Sequence, residues 1–553
     1  MPTSPTAPDR RPGDGPADDA VVDVLIVGAG ITGIYQLYRA REAGVSVQLL
    51  EAGGGVGGTW YWNRYPGSRF DSESYTYAYL FSDELFDEWE WQEHFAPQDE
   101  TERYVNHVVD RFDLRRHIRF HTRITSAVFD ESSGIWTVTV EDGSVYRARF
   151  LVSATGVLSV PYYPDVPGRD DFHGLSLHTG LWPAEPVDFA GKRVAVIGTG
   201  SSGVQVIPII APEVESLTVY QRTPNWCTPL NNRPITDEEQ AQLRSDFPAL
   251  RETLNTSLHG FHHPAYDRGT FDDTPEERQA FFERMWNSPG FTKLTSNYAD
   301  MMLDPEANAE WSAFIAAKVR EIVKDPGTAE QLIPKDHRYG EKRPPFVTDY
   351  YETYNRPNVS LVDLSATPIT RVTTTGIETS AGEEPFDVIV WATGFDFGTG
   401  ALLRMGIRGR NGLALAQDWA DGPKTFLGVG ASGFPNLFFP GGPHAAAGNN
   451  PRYNGDQVDF VMDVLEYARE QGADTIEVLP GAETKWTSMV DRVAADSPAA
   501  FGTSSYFYGT NIPGKPVRYL LNSAGRPKLF SVIADEKEHG FHSFRFSTSG
   551  TDA

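Results

Sequence analysis

The sequence has a single cysteine, Cys227, among its 553 residues. One cysteine cannot form an internal disulfide, a cysteine-rich zinc site or a redox-active Cys-x-x-Cys pair. This excludes the enzymes that reduce disulfides through paired cysteines, and we expect no bound metal. A lone thiol also fits a reducing cytoplasm, where we expect the protein to act.

Long apolar runs are missing too. No run approaches the ~18 residues that a membrane-spanning helix needs. The first twenty residues, MPTSPTAPDRRPGDGPADDA, are rich in Pro, Asp and Gly and contain no apolar stretch that could serve as a signal peptide. We therefore predict a disordered tail over 1–20 and no membrane partner.

Positive charge is scarce. The 48 Lys and Arg residues face 75 Asp and Glu residues, which gives a net charge of −27. Such a field repels phosphate backbones and anionic lipid surfaces, so we expect no nucleic-acid partner. We take a soluble monomer as the default state. The length predicts two or three domains.

A glycine pattern, G-x-G-x-x-G, occurs twice, each time after a β-branched apolar run and before a helix-like segment. In this fingerprint the first glycine allows a tight turn, the second lets the backbone approach a pyrophosphate, and the third lets helix and strand pack closely. The glycines are Gly28, Gly30 and Gly33 in the first copy, and Gly198, Gly200 and Gly203 in the second. The pair predicts an α/β fold with two Rossmann-like dinucleotide-binding domains.

The residue that ends the strand after each fingerprint distinguishes the two sites. Glu51 follows the first copy at a distance that suits a carboxylate bonding both ribose hydroxyls, and it would repel a 2′-phosphate. The first site therefore prefers FAD or NAD to NADP. After the second copy the strand SLTVYQRTP ends in Arg222 and Thr223, and Lys342 could add a second positive charge. Arginine grips a phosphate at two points, so this site favours NADPH.

The turn of the second fingerprint supplies the other expected contacts to NADPH, namely Thr199, Ser201 and Ser202. Two nucleotide sites of opposite charge preference imply electron flow from NADPH to FAD.

Between the two halves of the second domain the pattern becomes helical. Thr274-Pro275-Glu276-Glu277 is a capping box with proline at the first helical position, and Asp304-Pro305 is typical of another helix start. We predict an FAD-binding domain over 21–160 and 386–553. The predicted NADP-binding domain covers 161–228 and 342–385, with a helical insertion over 229–341.

Two longer motifs carry a family resemblance. The stretch GGTWYWNRYPGSRFD, from Gly57 to Asp71, matches [A/G]-G-x-W-x4-[F/Y]-P-[G/M]-x3-D. The stretch FHGLSLHTGLWP, from Phe172 to Pro183, matches F-x-G-x3-H-x3-W-[P/D] at every fixed position. From about Val21 to near the C-terminus the chain resembles the type I Baeyer–Villiger monooxygenases.

The resemblance implies a reaction and two catalytic residues. The family reduces FAD with NADPH, captures O2 as a flavin C4a-peroxide and converts a ketone into an ester or lactone. The family's catalytic arginine corresponds to Arg343, in the segment YGEKRPPFVTDYYETYN, and Asp71 corresponds to the aspartate that pairs with it and also lies by the flavin. An arginine stays charged at any working pH and offers fixed donors to a developing oxyanion.

Further contacts and one departure also follow from the resemblance. The implied flavin contacts are Gly58, Thr59, Trp60, Tyr77, Ile124 and Asp396. His178 corresponds to a hinge residue that we expect to be neutral. Relatives often carry tryptophan in a loop that here reads SYFYGTNIPGKP, with Tyr506 in its place, which leaves the grip of this loop on NADP open. The stretch 442–447 resembles the loop that lines the ketone pocket.

Two other functions stay open. An N- or S-oxygenating flavin monooxygenase shares the fingerprints, but typically lacks the ending Trp182-Pro183 and the Lys-Arg pair. A non-catalytic flavin-binding redox sensor would need neither Arg343 nor Asp71.

Overall fold

The computed structural model describes residues 20–496 and 505–549, so nearly all of the predicted tail over 1–20 lies outside the described residues. The strands are β1 (Val21–Val27), β2 (Val47–Leu50), β3 (Ile118–Arg119), β4 (Ile124–Asp130), β5 (Ile135–Val140), β6 (Val145–Ser153), β7 (Leu175–His178), β8 (Arg193–Ile197), β9 (Ser216–Gln221), β10 (Thr228–Pro229), β11 (Phe346–Val347), β12 (Val359–Asp363), β13 (Ile369–Val372), β14 (Gly376–Thr379), β15 (Gly382–Pro385), β16 (Val388–Trp391), β17 (Ile407–Arg408), β18 (Leu437–Phe438), β19 (Thr475–Val478) and β20 (Phe544–Ser547). The helices are α1 (Ile31–Glu42), α2 (Thr59–Trp62), α3 (Ser74–Tyr77), α4 (Asp83–Glu88), α5 (Gln98–Arg111), α6 (Ser201–Ile210), α7 (Asp237–Thr256), α8 (Pro275–Asn287), α9 (Thr292–Thr295), α10 (Pro305–Ile322), α11 (Pro326–Leu332), α12 (Tyr350–Thr353), α13 (Gly400–Arg404), α14 (Leu415–Asp418), α15 (Asn450–Glu470), α16 (Pro480–Ala495) and α17 (Gly525–Glu538). Within the described ranges no helix combines the length and the apolar character of a membrane span.

The first sheet has the order β17-β4-β5-β6-β1-β2-β3, and β18 also pairs with β6. Its centre is β1, which pairs in parallel with β2 and β6. The sequence VVDVLIV suits this place because a central parallel strand is covered on both faces. The first fingerprint therefore follows the innermost strand, and α1 packs on α15 and β2.

The second sheet is entirely parallel, with the order β12-β9-β8-β16-β7. The predicted boundary at 385/386 needs correction, because β16 pairs with β7 and β8 and so belongs to this second sheet. The buried run VIVW suits the interior of either sheet, so its sequence could not assign it. The chain returns to the first sheet only at β17, which pairs with β4.

The region 229–341 contains α7 to α11, as the sequence predicts for a helical insertion. The capping box at Thr274 is confirmed, since its hydroxyl accepts from the N–H of Glu277 and α8 starts with Pro275. The start at Asp304 is confirmed in the same way, because its carboxylate accepts from the N–H groups of Glu306 and Ala307. The strands β10 and β11 pair at the two ends of the insertion and so close it.

Candidate active site

The first glycine turn excludes side chains at two positions. Gly28 has φ +99°, and a Cβ there would lie 2.7 Å from the carbonyl oxygen of Ala154. A Cβ on Gly33 would lie 1.8 Å from the carbonyl oxygen of Gly28. Helix α1 begins after Gly30 without a capping side chain, so its first amide groups face outward, as phosphate binding requires.

The second turn repeats this construction. Gly198 has φ +106°, and a Cβ there would lie 2.4 Å from the carbonyl oxygen of Ala392. A Cβ on Gly203 would lie 2.2 Å from the carbonyl oxygen of Gly198, whereas Gly200 has no atom within 4 Å of that position. The segments 154–156 and 392–394 therefore back the glycine turns of their own sheets, a role that their Ala-Thr-Gly sequences did not reveal.

One cavity of about 1520 Å³ joins the first turn to the segment after the insertion. This volume exceeds the usual ~300–1,000 Å³ of a small-molecule pocket, so there is space for a dinucleotide and a further molecule. Of the expected site residues, those that line it are Gly28, Gly30, Glu51, Gly58, Thr59, Trp60, Tyr77, Ile124 and Arg343. The uncapped helix and the side-chain-free turn fit the FAD that the sequence predicts.

Glu51 lies at the cavity wall and is 5% exposed. Its two carboxylate oxygens accept from the backbone N–H groups of Ala29 and Gly53, each at 2.7 Å. Burial raises the pKa of Glu51, while these two bonds oppose that rise. The carboxylate thus braces the glycine turn, and its remaining lone pairs can accept ribose hydroxyls.

Aromatic side chains form the wall next to Glu51's turn. The indole N–H of Trp60 donates to the hydroxyl of Tyr77 at 3.1 Å, and Phe70 stacks on Tyr77 with ring centroids 4.6 Å apart. Burial raises the pKa of Tyr77 to about 12, so its hydroxyl stays protonated. This wall is rigid and largely apolar, as a flavin ring requires.

The expected catalytic pair is in contact. A guanidinium nitrogen of Arg343 lies 2.9 Å from a carboxylate oxygen of Asp71, with side chains 27% and 13% exposed. The guanidinium also donates to the hydroxyl of Ser201 at 3.4 Å and lies 5.3 Å from the ring centre of Phe291. Burial alone would lower the pKa of Arg343, but Asp71, together with Tyr506 and Tyr339, outweighs burial and the pKa is raised. The cation therefore lies between the cavity and the start of α6.

Two cations lie near the second turn, as the sequence predicts. Arg222 is exposed, Lys342 is 18% exposed, and Lys342 has Asp336 at 3.9 Å. Burial and, to a smaller extent, the charge of Arg222 lower the pKa of Lys342. The hydroxyl of Thr199 donates to the carbonyl of Thr223 at 3.4 Å, which ties the turn to the end of β9. The arrangement fits the 2′-phosphate of NADPH.

Asp396, an expected flavin contact, forms an ion pair that the sequence does not predict. It is not among the described residues that line the cavity, and its carboxylate lies 2.6 Å from the ammonium of Lys515. Lys515 also donates to the carbonyl of Phe397, whose ring lies 5.0 Å from that of Tyr506. Since Tyr506 lines the cavity, Asp396 helps to anchor the loop that carries it, and its contact with a flavin stays a prediction.

The two longer motifs join the domains. The hydroxyl of Tyr65 donates to the amide oxygen of Gln205 on α6 at 2.7 Å, and the amide nitrogen of Gln205 donates to the carbonyl of Arg69 at 2.9 Å. The backbone N–H of Trp182 donates to the backbone carbonyl of Trp62 at 3.3 Å. Gln205 was missed in the sequence because nothing local marks a partner so distant along the chain.

His178 is neutral, as expected. Burial lowers its pKa to about 4. Its Nδ1 accepts from the N–H of Gly180 at 2.9 Å, so Nε2 carries the proton and faces the carbonyl of Tyr162 at 3.3 Å. These bonds order the segment that joins the two sheets. Among the described residues, His178 is not one of those that line the cavity.

Comparison with known families gives a match over residues 25–243 to the family described as pyridine nucleotide-disulphide oxidoreductase. The match includes both glycine turns. The disulfide chemistry in that description is not available to a chain with one buried cysteine.

Curated relatives match over nearly the whole chain. A 2-oxo-Δ3-4,5,5-trimethylcyclopentenylacetyl-CoA monooxygenase from Pseudomonas putida is 46% identical over 95% of this chain and 99% of its own length. An acetone monooxygenase that forms methyl acetate, from Gordonia sp. (strain TY-5), is 40% identical over 95% and 99%. Phenazine N-monooxygenase PhzNO1 from Lysobacter antibioticus is 40% identical over 95% and 97%.

Solved structures give the same result. The crystal structure of OTEMO in complex with FAD and NADP superimposes with a TM-score of 0.92 at 42% identity, covering 95% of this chain and 99% of that one. The identity and the coverage are high enough to establish common ancestry as well as a common fold. The chain belongs to the type I Baeyer–Villiger monooxygenases.

Proposed function

We propose that this protein oxidises a ketone to an ester or lactone with FAD, NADPH and O2. The observation that carries the proposal is the Arg343 guanidinium, paired with Asp71 at 2.9 Å in the wall of the cavity that also contains the first glycine turn. The acetone monooxygenase relative, which forms methyl acetate, is consistent with this chemistry.

The cofactors follow from the two turns. Gly28, Gly30 and Glu51 would hold FAD in the cavity, and the start of α6 would hold NADPH, with Arg222 and Lys342 available to bind its 2′-phosphate. Bound there, FAD supplies the redox centre that accepts hydride from NADPH and passes electrons to O2. The protein's residues position both molecules, and α6 contributes its first amide groups to the pyrophosphate.

Arg343 has the task of stabilising negative charge that develops on the carbonyl oxygen of the ketone. It stays charged, and its donors lie at the cavity surface. Asp71 holds the guanidinium in place, and Phe291 covers one of its faces. Because the site is partly closed from water, a fixed cation there is worth more than in solution.

The ketone occupies the part of the cavity that the insertion lines. Phe291, Leu294 and Met302 line the cavity with apolar side chains, and Gly442 and the alanines at 445–447 line it as well. An apolar wall excludes water from the reacting atoms. The small residues leave room for a bulky or cyclic ketone.

The alternative is N- or S-oxygenation, which the similarity to an N-monooxygenase favours. The Lys342-Arg343 pair and Trp182-Pro183 favour ketone oxidation instead. A redox sensor without turnover would not need the ion pair at Arg343.

The domain organisation, the oligomeric state and the cellular compartment of the protein belong to the same proposal. It consists of FAD-binding and NADP-binding domains with a helical insertion, acts as a monomer and works in the cytoplasm. The buried thiol of Cys227, whose pKa burial raises to about 12, is chemically inert and suits a reducing compartment.

The proposal is tested with a panel of ketones, a thioether and a tertiary amine on FAD-loaded protein. Products are measured by mass, because a flavoprotein that merely leaks electrons to O2 also consumes NADPH. We expect esters or lactones that carry one added oxygen atom. Oxidation of the thioether or the amine alone would support N- or S-oxygenation. Hydrogen peroxide as the only product would contradict both oxygenase functions.

A further inference from the structure

A cluster of three metal-ligating side chains lies where the insertion meets the first domain. Glu73 follows Asp71 by two residues, and His262 and His263 belong to the insertion. One ligand atom from each residue lies within 4.8 Å of the other two. The side chains of Glu73 and His263 are 2% and 5% exposed, and that of His262 is 29% exposed, so the cluster is mostly buried and opens to solvent only at His262.

Two polar atoms of this cluster have no satisfactory contact. The second carboxylate oxygen of Glu73 and Nδ1 of His262 are both buried, and neither has a hydrogen-bond partner among the described residues. They are 3.9 Å apart, which is too far for a hydrogen bond. An unpaired buried carboxylate oxygen is costly and calls for a positive charge.

The dimensions suit a transition-metal ion. Zinc binds imidazole nitrogens and carboxylate oxygens at ~2.0–2.2 Å, so two ligand atoms of a tetrahedral ion lie about 3.3–3.6 Å apart. The 3.9 Å between Glu73 and His262 is a few tenths of an ångström longer, which a small rotation of the His262 ring would close. Nε2 of His263 forms a hydrogen bond of 2.7 Å with the other oxygen of Glu73. Binding of the ion to Nε2 would replace this hydrogen bond.

The surroundings fix one ligand ring. Nδ1 of His263 contacts the hydroxyl of Thr295 at 2.9 Å, the kind of outer partner that orients a metal-binding histidine. The ring of Tyr75 lies edge-on to His262 at 5.7 Å. The buried Lys293 also lies close enough to Glu73 to interact with it electrostatically.

We propose that Glu73, His262 and His263 form a binding site for a divalent transition metal of the zinc type. The ion fastens the insertion to the segment that carries Asp71, and a water molecule completes its tetrahedral shell. The single cysteine predicts the opposite, namely no bound metal. His263 also lines the cavity, but the proposal concerns metal binding, which is measured separately from turnover.

The test titrates Zn2+ by calorimetry and Co2+ by visible absorption into FAD-loaded protein. A second cluster, Asp535 with His539 and His542, is exposed and could bind metal at the surface. The background is therefore His539→Ala/His542→Ala. We expect one Zn2+ per chain, and Co2+ bands outside the flavin absorption that indicate tetrahedral nitrogen and oxygen ligands.

The variant His262→Phe keeps a ring against Tyr75 and leaves the Glu73–His263 bond intact. We expect it to weaken Zn2+ binding at least about tenfold, because even the loss of an outer partner has that effect. The matched control is His107→Phe, whose histidine lies 3.5 Å from Glu88 and outside the cluster. It should bind as the background does.

Thermal unfolding gives a second readout. Zn2+ should raise the Tm of the background and of the His107→Phe control, but not that of His262→Phe. Glu73→Gln should behave as His262→Phe, and His262→Phe alone carries the test if Glu73→Gln does not fold. The proposal is overturned if the background binds no Zn2+, or if His262→Phe binds it as tightly. Neither result bears on ester formation, which is measured separately.

Discussion

Arg343 and Asp71 form an ion pair, with nitrogen and oxygen 2.9 Å apart, between the segment that follows the helical insertion and the end of the G-x-W motif. The same guanidinium reaches Ser201 at the start of α6. One cation thus contacts elements of both nucleotide sites. Its position depends on the docking of the two domains as well as on its own segment.

Asp71→Asn keeps the shape of the side chain and removes its charge. Arg343 then lacks the carboxylate that raises its pKa and holds its geometry, which should cost about 1–3 kcal/mol of positioning. We expect roughly tenfold less ester per NADPH consumed, with normal FAD loading. Product mass and NADPH loss are measured together. Asp99→Asn, at a surface pair with Arg103, is the control and should couple normally.

Arg222→Ala removes one of the two cations at the end of β9. The loss of a charged hydrogen bond costs ~1.5–3 kcal/mol, so the KM for NADPH should rise roughly ten- to hundredfold. The KM for NADH should hardly change, because NADH lacks the 2′-phosphate. Lys342→Ala should act in the same direction. Arg103→Ala is the control. If the ratio of the KM values for NADPH and NADH is unchanged in both variants, as we expect for the control, these residues do not belong to the cofactor site.

The second glycine turn offers a matched pair of substitutions. In Gly200→Ala the new methyl group meets no atom within 4 Å, so the protein should fold and load FAD but bind NADPH weakly. In Gly198→Ala the methyl group meets the Ala392 carbonyl at 2.4 Å, at φ +106°, so folding itself should suffer. Tm and NADPH affinity separate the two effects. Equal NADPH affinity of wild type and Gly200→Ala would contradict this placement.

His178 makes stability depend on pH. Its pKa is about 4 in the folded protein and 6.5 in the unfolded chain, so below pH 6.5 the unfolded state binds the extra proton. The contribution is complete above pH 6.5 and falls by up to about 1.4 kcal/mol per pH unit toward pH 4. His178→Asn retains an acceptor for Gly180 and should show a shallower loss of unfolding free energy between those values. Parallel curves for the two proteins would show that His178 is already charged when folded.

The local features of the fold could be predicted because they rest on neighbouring residues. The capping box at Thr274 and the cap at Asp304 each involve partners within three residues, and the structure confirms both. The glycine turns are equally local, since Gly33 packs on Gly28. The opposite charges of Glu51 and Arg222 likewise depend only on where each strand ends.

The remaining features depend on contacts between distant parts of the chain. No local pattern near Asp396 predicts its ion pair with Lys515, which lies more than a hundred residues away along the chain. No local pattern near Glu73 predicts its contact with His263, and the cysteine content alone predicts that no metal is bound. The strand β16 joined the second sheet although its sequence would suit either, because only packing distinguishes two buried parallel sheets.

The most direct test of the account is ester formation by Arg343→Ala, measured by product mass beside FAD content and the rate of flavin reduction by NADPH. Removing an oxyanion donor typically lowers kcat by ~10²–10³-fold. We predict such a loss of ester, with FAD bound and still reduced by NADPH, and partial recovery in Arg343→Lys. Ester formation by Arg343→Ala at close to the wild-type rate would contradict the central role of this guanidinium.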